Sequence, residues 1–402
     1  MRIALVASSL RLAGAEKQFV YVARSLSEAG AQVQIFYLGA GDYYQEILKK
    51  LAIPLKQIFV RGRPWLMLVR LVKALQRFKP HIVLASQFGD LIFAAPSGRL
   101  INALVLGGIR SDGFYELRTS GRRSSFMLRL CDGLIANSYR AKENLISKGI
   151  APRKIAVLPN VIDLDEFDSQ SALAPPHCAS PDRVTAAAVG SLHPCKRFDR
   201  FIDALSLARK KCPAAHGVIA GRDLGAGTAL EQRAMSLGLL PGHIELLGEC
   251  TRIPALLRNS QLLVLCSDYE GFPNVILEAM AARLPVISTP VGDAARIVEH
   301  GVIGFVIQKD DISAMAEHMI QLMANSECRS SFGEKGRKRV EQQHSFTGLA
   351  NRLICIFSDF ARQHSKTSAL NALRRIPVTQ TAPSSAIVAD QSEVGRSNMV
   401  LS

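Results

Sequence analysis

The strongest constraint on the fold of this 402-residue chain is a rhythm: short apolar runs recur, each separated from the next by a stretch of helical period. In the first half the runs are RIALVAS, VQIFYL, HIVLAS, ALVLGGI, GLIANS and IAVLPN. In the second they are VTAAAVGSL, HGVIAG, IELLGE, LLVLCS, PVISTPV and GFVI. A strand apolar at successive positions is buried on both faces, and regular alternation with helices indicates parallel sheets with helices on either side. The chain is too long for one ordinary core, which favours two such domains. The rhythm breaks over 166–183, which begins EFDSQSALAPP and reads as a linker. The expected class is therefore α/β, with two Rossmann-like, doubly wound domains facing across a cleft: residues 1–165 and 184–345. A helix over 346–365 is expected to return to the first domain. From 366 the chain is Ser/Thr/Ala-rich and poorly patterned, which reads as a disordered tail to 402. Ligands of such sheets bind at the carboxyl ends of the strands.

Composition narrows the function classes. Hydrophobic residues make up 48% and charged residues 21%, as in globular rather than disordered chains. No apolar run reaches the roughly 20 residues of a membrane span, and the opening MRIALVASS lacks the pattern of a signal peptide. The eight cysteines are scattered without a C-x-x-C, which points to reduced thiols and a cytoplasmic protein. The net charge of +15 is lopsided: residues 1–165 carry 24 Lys and Arg against 11 Asp and Glu, the remainder 25 against 23. Much of the excess lies in RGRPWLMLVRLVKALQRFK (61–79) and at Arg118, Arg122, Arg123 and Arg129. A basic, Trp-containing helix of this kind either rests on an anionic membrane surface or packs its apolar side on a sheet, and a half-exposed helix does both. No nucleic-acid-binding motif accompanies these charges, so nucleic acid is not expected as a partner.

The segment SDYEGFPNVILEAMAA (267–282) carries the most chemistry. A buried strand ends in a Gly-Phe-Pro turn, and Asn274 is placed to cap the helix that follows. Free amides at 275–277 and the helix dipole make a phosphate seat. Glu278, one turn on, leans back toward that end. A carboxylate there would repel a phosphate but accept hydrogen bonds from a ribose diol, and Glu270 could do the same for a second sugar. The residues alone leave two readings open: a capped helix with two solvated acids, or a seat for a nucleoside diphosphate sugar.

The full stretch SDYEGFPNVILEAMAARLPVISTPVGDAARIVEHGVIGFVI (267–307) resembles the signature of the retaining GT-B glycosyltransferases of the large group 1 family, which includes glycogen-synthase-like enzymes and bacterial mannosyl- and glucosyltransferases. AGAEKQF (13–19), IANSYRAKENLISKGIAPRKIAVLPNVIDLDEF (135–167) and VGSLHPCKRFDRFIDAL (189–205) are similar to further family motifs in the family's order. The resemblance implies acceptor binding by the first domain and nucleotide-sugar binding by the second. It implies that Gly14 brings backbone close to the diphosphate and that Lys196 neutralises it. Glu270, Gly271 and Phe272 would line the transferred sugar, Asn274 and Val275 would present the helix end to phosphate, and Glu278 would hold the ribose.

The chain also departs from the family pattern. Ser191 stands where an Arg is frequent, leaving the diphosphate to Lys196 with help from Arg197. Arg110 stands in the loop where many members have a His, and Ser86 and Gln87 replace another. Arg110 is then a candidate cation near the leaving phosphate, and Asp112 a candidate for orienting the acceptor hydroxyl.

The implied activity is transfer of a hexose from a UDP- or GDP-linked donor to a hydroxyl, with retention, without a metal and with no cofactor beyond the donor. The acceptor is expected to be a lipid-linked or membrane-proximal glycan in bacterial polysaccharide, lipopolysaccharide or glycolipid synthesis, with the protein cytoplasmic or peripheral on the inner face of the membrane. Asp163-Leu164-Asp165 has the form of a D-x-D metal motif but falls where relatives have a structural turn. The glycine loops 39–44 and 221–227 lack dinucleotide spacing, and His193 is a loop residue beside the donor lysine. Two other classes remain open from the sequence: a GT-B-like sugar-nucleotide epimerase, and a non-catalytic sugar-nucleotide-binding partner subunit.

Overall fold

The computed structural model describes residues 1–11, 13–39, 43–176 and 182–376. Seven parallel strands form the first sheet: β1 (Arg2–Ala7), β2 (Gln32–Tyr37), β3 (Leu55–Gln57), β4 (Ile82–Ala85), β5 (Leu104–Ile109), β6 (Gly133–Ala136) and β7 (Ile155–Val157). Their order is β3-β2-β1-β4-β5-β6-β7. Six parallel strands form the second: β8 (Val184–Val189), β9 (Ala215–Ala220), β10 (Ile244–Leu246), β11 (Leu262–Leu265), β12 (Val286–Ser288) and β13 (Gly304–Val306), in the order β10-β9-β8-β11-β12-β13. In each sheet the winding reverses beside the first strand, between β1 and β4 and between β8 and β11. Crevices for ligands open at those two points.

Alternation along the strands explains why the runs are apolar throughout. In β1, Ile3 and Leu5 join one core layer with Phe19 and Leu26, whereas Ala4 and Val6 join the other with Leu71 and Leu91. In β8, Ala186 and Ala188 face one way and Ala187 the other. β3 escaped the sequence reading for a physical reason: a three-residue edge strand, Leu-Lys-Gln, buries too little to need an apolar run.

Two segments differ from the sequence expectation. Residues 164–171, overlapping the expected linker, form a helix capped by Asp163, whose carboxylate accepts from the Glu166 amide at 3.1 Å. Residues 367–373, expected in the featureless tail, form a helix that buries Ala369, Ala372 and Leu373. These small and apolar residues cover the end of the helix Leu349–Gln363, which itself buries Leu353, Phe357 and Phe360 in the core of the first sheet. The Phe360 ring lies against Gly133, where any Cβ would collide with it. Residues 377–402 lie outside the described part.

The basic segment 61–79 contains the helix Pro64–Phe78. Met67, Leu71, Ala74 and Leu75 recur at helical spacing and are buried. Trp65 is 65% exposed and Val69 40% exposed, beside exposed Arg61, Arg63 and Arg70. Among the described residues no helix is long and apolar enough to cross a membrane.

Candidate active site

Two loops at the second sheet's switch point build the site. After β8, the turn Pro194–Lys196 is held at its start by His193, whose ring accepts from the Cys195 amide at 3.2 Å. The Asp268 amide donates to the Cys195 carbonyl at 2.8 Å, and the Cys266 thiol donates to that of Lys196 at 3.3 Å. The β8 loop is thereby fastened to the end of β11. This fixed backbone carries the Lys196 ammonium to 2.6 Å from Glu270 Oε1, which also accepts from Ser267 Oγ at 2.7 Å. Below them lies Arg200, 2% exposed, paired with Asp268 at 2.7 Å and Asp310 at 2.6 Å and donating to the Cys266 carbonyl at 2.9 Å. A buried guanidinium surrounded by acceptors braces the loop from which Glu270 projects.

The helix Asn274–Ala281 starts at the cleft. Asn274 is not its cap: Pro273 occupies that position, and no side chain caps this end. The Ile276 amide returns to the Pro273 carbonyl at 3.0 Å, which leaves the amides of Asn274 and Val275 at the open end. The Asn274 side chain instead crosses to the first domain. Its Oδ1 accepts from Asn160 Nδ2 at 2.8 Å, and its Nδ2 donates to the Gly14 carbonyl at 3.4 Å. Gly14 opens the helix Gly14–Glu28, whose start likewise has no side-chain cap. Two helix N-termini, each carrying a partial positive charge, therefore converge on one point of the cleft. One turn into each helix, Lys17 Nζ lies 3.5 Å from Glu278 Oε1. Burial opposes the charge on Lys17, but Glu278 and Glu166 outweigh it and raise its pKa.

The opposite wall comes from the loop after β5. Arg110 donates through Nε to the Ser86 carbonyl at 3.2 Å, and among the described residues no carboxylate lies within ion-pair distance of it. Burial pushes its guanidinium down to about 10, despite the charge of Glu116. Glu116 organises the loop by accepting from the amides of Arg110 (3.0 Å), Ser111 (2.7 Å) and Gly113 (3.0 Å), and from the Ser111 hydroxyl. Asp112 accepts from the Tyr115 amide at 2.8 Å. The two walls touch at Gly271, where a Cβ would come within 2.7 Å of Ser111 Cα and collide with the Arg110 carbonyl. Gly292, at φ +52°, backs the same loop: a Cβ there would lie 2.7 Å from the Gly271 carbonyl oxygen. Next to it, Asp293 accepts from the Tyr139 and Arg140 amides of the first domain at 2.8 and 3.0 Å. Burial raises its pKa, against the pull of those two amides.

Several expected site residues sit elsewhere. Arg197, at φ +50°, turns away onto Asp199 (2.9 Å) and Asp268 (3.5 Å), so it is not available to a diphosphate here. The Phe272 ring is buried and faces His344 at 5.7 Å, so this residue offers the cleft only its backbone. Ser191 is half-buried at the end of β8, and its carbonyl accepts from the His193 amide at 2.7 Å. Asp163 is occupied by its cap and by Arg24 at 2.6 Å. Among the described residues no group of three or more His, Cys, Asp or Glu is placed to hold a metal ion.

Lys17, Arg200 and Asp293 were missed from the sequence. Arg200 left a trace: at helical spacing it aligns with Ala204 and Ala208 on a buried stripe. Lys17 stands one turn after Gly14, but only the folded chain brings it to Glu278. Nothing local marks Asp293, whose partners lie 153 and 154 residues away.

Comparison with known proteins agrees with this architecture. Residues 12–166 match the model of Glycosyltransferase Family 4, and residues 175–339 that of Glycosyl transferases group 1. The chain is 27% identical over 258 residues to the lipopolysaccharide core biosynthesis mannosyltransferase LpsB of Rhizobium meliloti, covering 60% of this chain and 69% of LpsB. It is 33% identical over 124 residues to the N-acetyl-alpha-D-glucosaminyl L-malate synthase of Bacillus anthracis, covering 30% of this chain and only 32% of that protein. The crystal structure of Anabaena HepE in complex with UDP and glucose superposes with a TM-score of 0.79 at 20% identity, covering 89% of this chain and 99% of that one. With these matches in order and two parallel sheets facing across a cleft, the chain carries a Glycosyltransferase Family 4 domain followed by a Glycosyl transferases group 1 domain and has the GT-B fold.

Proposed function

We propose that this protein transfers a hexose from a UDP- or GDP-linked donor to a hydroxyl acceptor, with retention of configuration and without a metal. The observation that carries the reading is the alignment of charges across the cleft. Lys196 and Glu270 pair within the second domain, Lys17 reaches from the first domain to Glu278 of the second, and two uncapped helix ends lie at Asn274 and Gly14. The diphosphate sits at the helix ends with Lys196, the ribose on Glu278 and the hexose on Glu270. As the bond from the hexose C1 to the phosphate oxygen breaks, negative charge grows on the diphosphate. Preorganised amides and a lysine stabilise that charge more than they stabilise the bound donor. Arg110 adds a cation from the first domain, and Asp112 orients the acceptor hydroxyl. By family resemblance, attack comes from the face the leaving group departs. Contact of the two walls at Gly271 excludes water, which would otherwise consume the donor.

LpsB is a lipopolysaccharide core mannosyltransferase and the HepE structure holds UDP and glucose. These relatives support a nucleotide-sugar donor and a role in surface polysaccharide, lipopolysaccharide or glycolipid assembly. The exposed Trp65 and Val69 beside Arg61 and Arg63 suit an acceptor that is lipid-linked or close to an anionic membrane. The test is to incubate the protein with a panel of UDP- and GDP-sugars in EDTA and measure released nucleoside diphosphate, then read the product's anomeric configuration by NMR. Release in EDTA with a retained anomer is expected. An inverted product, or activity that EDTA abolishes, contradicts the mechanism. Flotation with anionic liposomes at low salt tests the membrane contact, and no binding there ends that part.

A further inference from the structure

A second recess opens beside the donor site, away from the helix ends. It is a cavity of about 610 Å³ whose wall includes Asp112, Phe114, Tyr115, Arg118 and Lys148 from the first domain and Tyr269 from the second. Tyr269 directly precedes Glu270, so the cavity adjoins the place assigned to the transferred hexose. Its aromatic residues are unusually open: Tyr115 and Tyr269 are each 52% exposed and Phe114 39%. Open rings in a recess are a surface for the apolar C–H face of a pyranose, whose hydroxyls then point to the rim. The charges are just as specific. The Arg118 guanidinium lies 6.0 Å from the Tyr115 ring centre, and the Lys148 ammonium 5.4 Å from that of Phe114. Among the described residues neither cation has a carboxylate within ion-pair distance. The one acid of the wall, Asp112, is partly engaged with the Tyr115 amide. The recess thus combines ring faces with two positive charges that the protein leaves unbalanced.

We propose that this cavity is the acceptor subsite, and that it selects a glycan carrying a negative charge, a phosphate or a carboxylate, on or next to the accepting sugar. The inference rests on the glycosyltransferase reading and adds the chemical class of the acceptor. The rings hold the pyranose, Arg118 and Lys148 receive the anion, and the hydroxyl is left facing Asp112 and the hexose beyond Tyr269. A neutral sugar would have the rings but no use for the cations.

The probes are glucose 6-phosphate, glucuronate, glucose and inorganic phosphate. Each is titrated by NMR into the whole protein saturated with UDP or GDP, whichever binds, so that the donor site is closed to them. Both charged sugars are expected to bind about tenfold or more tightly than glucose, the order expected of one or two charge-assisted contacts in an open site. A preference for glucose 6-phosphate alone assigns a phosphate, and one for glucuronate alone a carboxylate. In Arg118→Ala/Lys148→Ala the preference should vanish while nucleotide affinity stays unchanged. In Tyr115→Ala all the sugars should weaken. Equal binding of charged and neutral sugars by the wild type, or a preference that survives the double substitution, overturns the proposal. So does inorganic phosphate binding as tightly as glucose 6-phosphate. Failure of both nucleotides to bind the wild type would instead overturn the donor-site reading on which the proposal rests.

Discussion

Lys196 Nζ lies 2.6 Å from Glu270 Oε1, so the two groups assigned to opposite ends of the hexose–phosphate bond are paired with each other. Both side chains keep some solvent contact, and Glu270 retains its bond from the Ser267 hydroxyl when the pair parts. Parting it costs little beside a charge-assisted contact from Lys196 to phosphate. Replacing Lys196 by Ala should therefore leave folding nearly unchanged but lower kcat by about 100- to 1,000-fold, as when a preorganised donor to a developing charge is lost. Steady-state kinetics and a denaturant titration on the same variant check both halves.

The glycines facing the cleft differ in what surrounds them. At Gly271 a Cβ would strike backbone, the Arg110 carbonyl and Ser111 Cα, neither of which can turn aside. At Gly14 it would meet the Asn274 side-chain amide at 2.7 Å, a group that can rotate. Gly271→Ala should therefore prevent the walls from meeting, with a larger radius of gyration by small-angle scattering and more donor hydrolysis per transfer. Gly14→Ala should leave the scattering unchanged and act through nucleotide affinity.

Arg200 is the structural counterpart of these residues. Its removal leaves the Cys266 carbonyl without its buried donor, which costs about 1–3 kcal/mol, while the more exposed Asp268 and Asp310 keep solvent and Arg197 as partners. Arg200→Ala should lower the denaturant midpoint of the second domain by a corresponding amount. Activity should fall with it, because Glu270 follows Asp268 by two residues.

His344 gives the fold a definite pH dependence. Its ring is buried where the chain crosses back, contacts the Asn160 carbonyl at 3.1 Å and faces Phe272. Burial lowers its pKa from 6.5 to about 4. The unfolded chain therefore binds a proton that the folded one refuses. The contribution is fully present above pH 6.5 and is lost progressively as the pH falls toward 4, by up to about 3 kcal/mol. Unfolding measured from pH 7 to 5 should show a smaller loss of stability in His344→Gln than in the wild type.

The sheets were legible in the sequence because strands buried on both faces must be apolar, so twelve of the thirteen announced themselves, and only the edge strand Leu55–Gln57 did not. The helix at Asn274 was legible from its period, but its first turn was not. A cap was expected of Asn274 because such residues usually make local bonds, and here a cross-domain partner, Asn160, takes that side chain instead. Arg197 misled in a similar way: its charge was visible, but the acids that consume it come from Asp199 and a distant loop. What the sequence hides is the set of contacts made across the cleft, which depends on how two domains meet rather than on local pattern.

The account stands most directly on Glu270. The decisive measurement is release of nucleoside diphosphate from the preferred UDP- or GDP-sugar by wild type and by Glu270→Ala, at equal concentration and with both shown to be folded. The account predicts turnover by the wild type and a loss of at least about 100-fold in the variant, the scale on which a group touching the reacting sugar contributes. An active wild type with an equally active Glu270→Ala would contradict it.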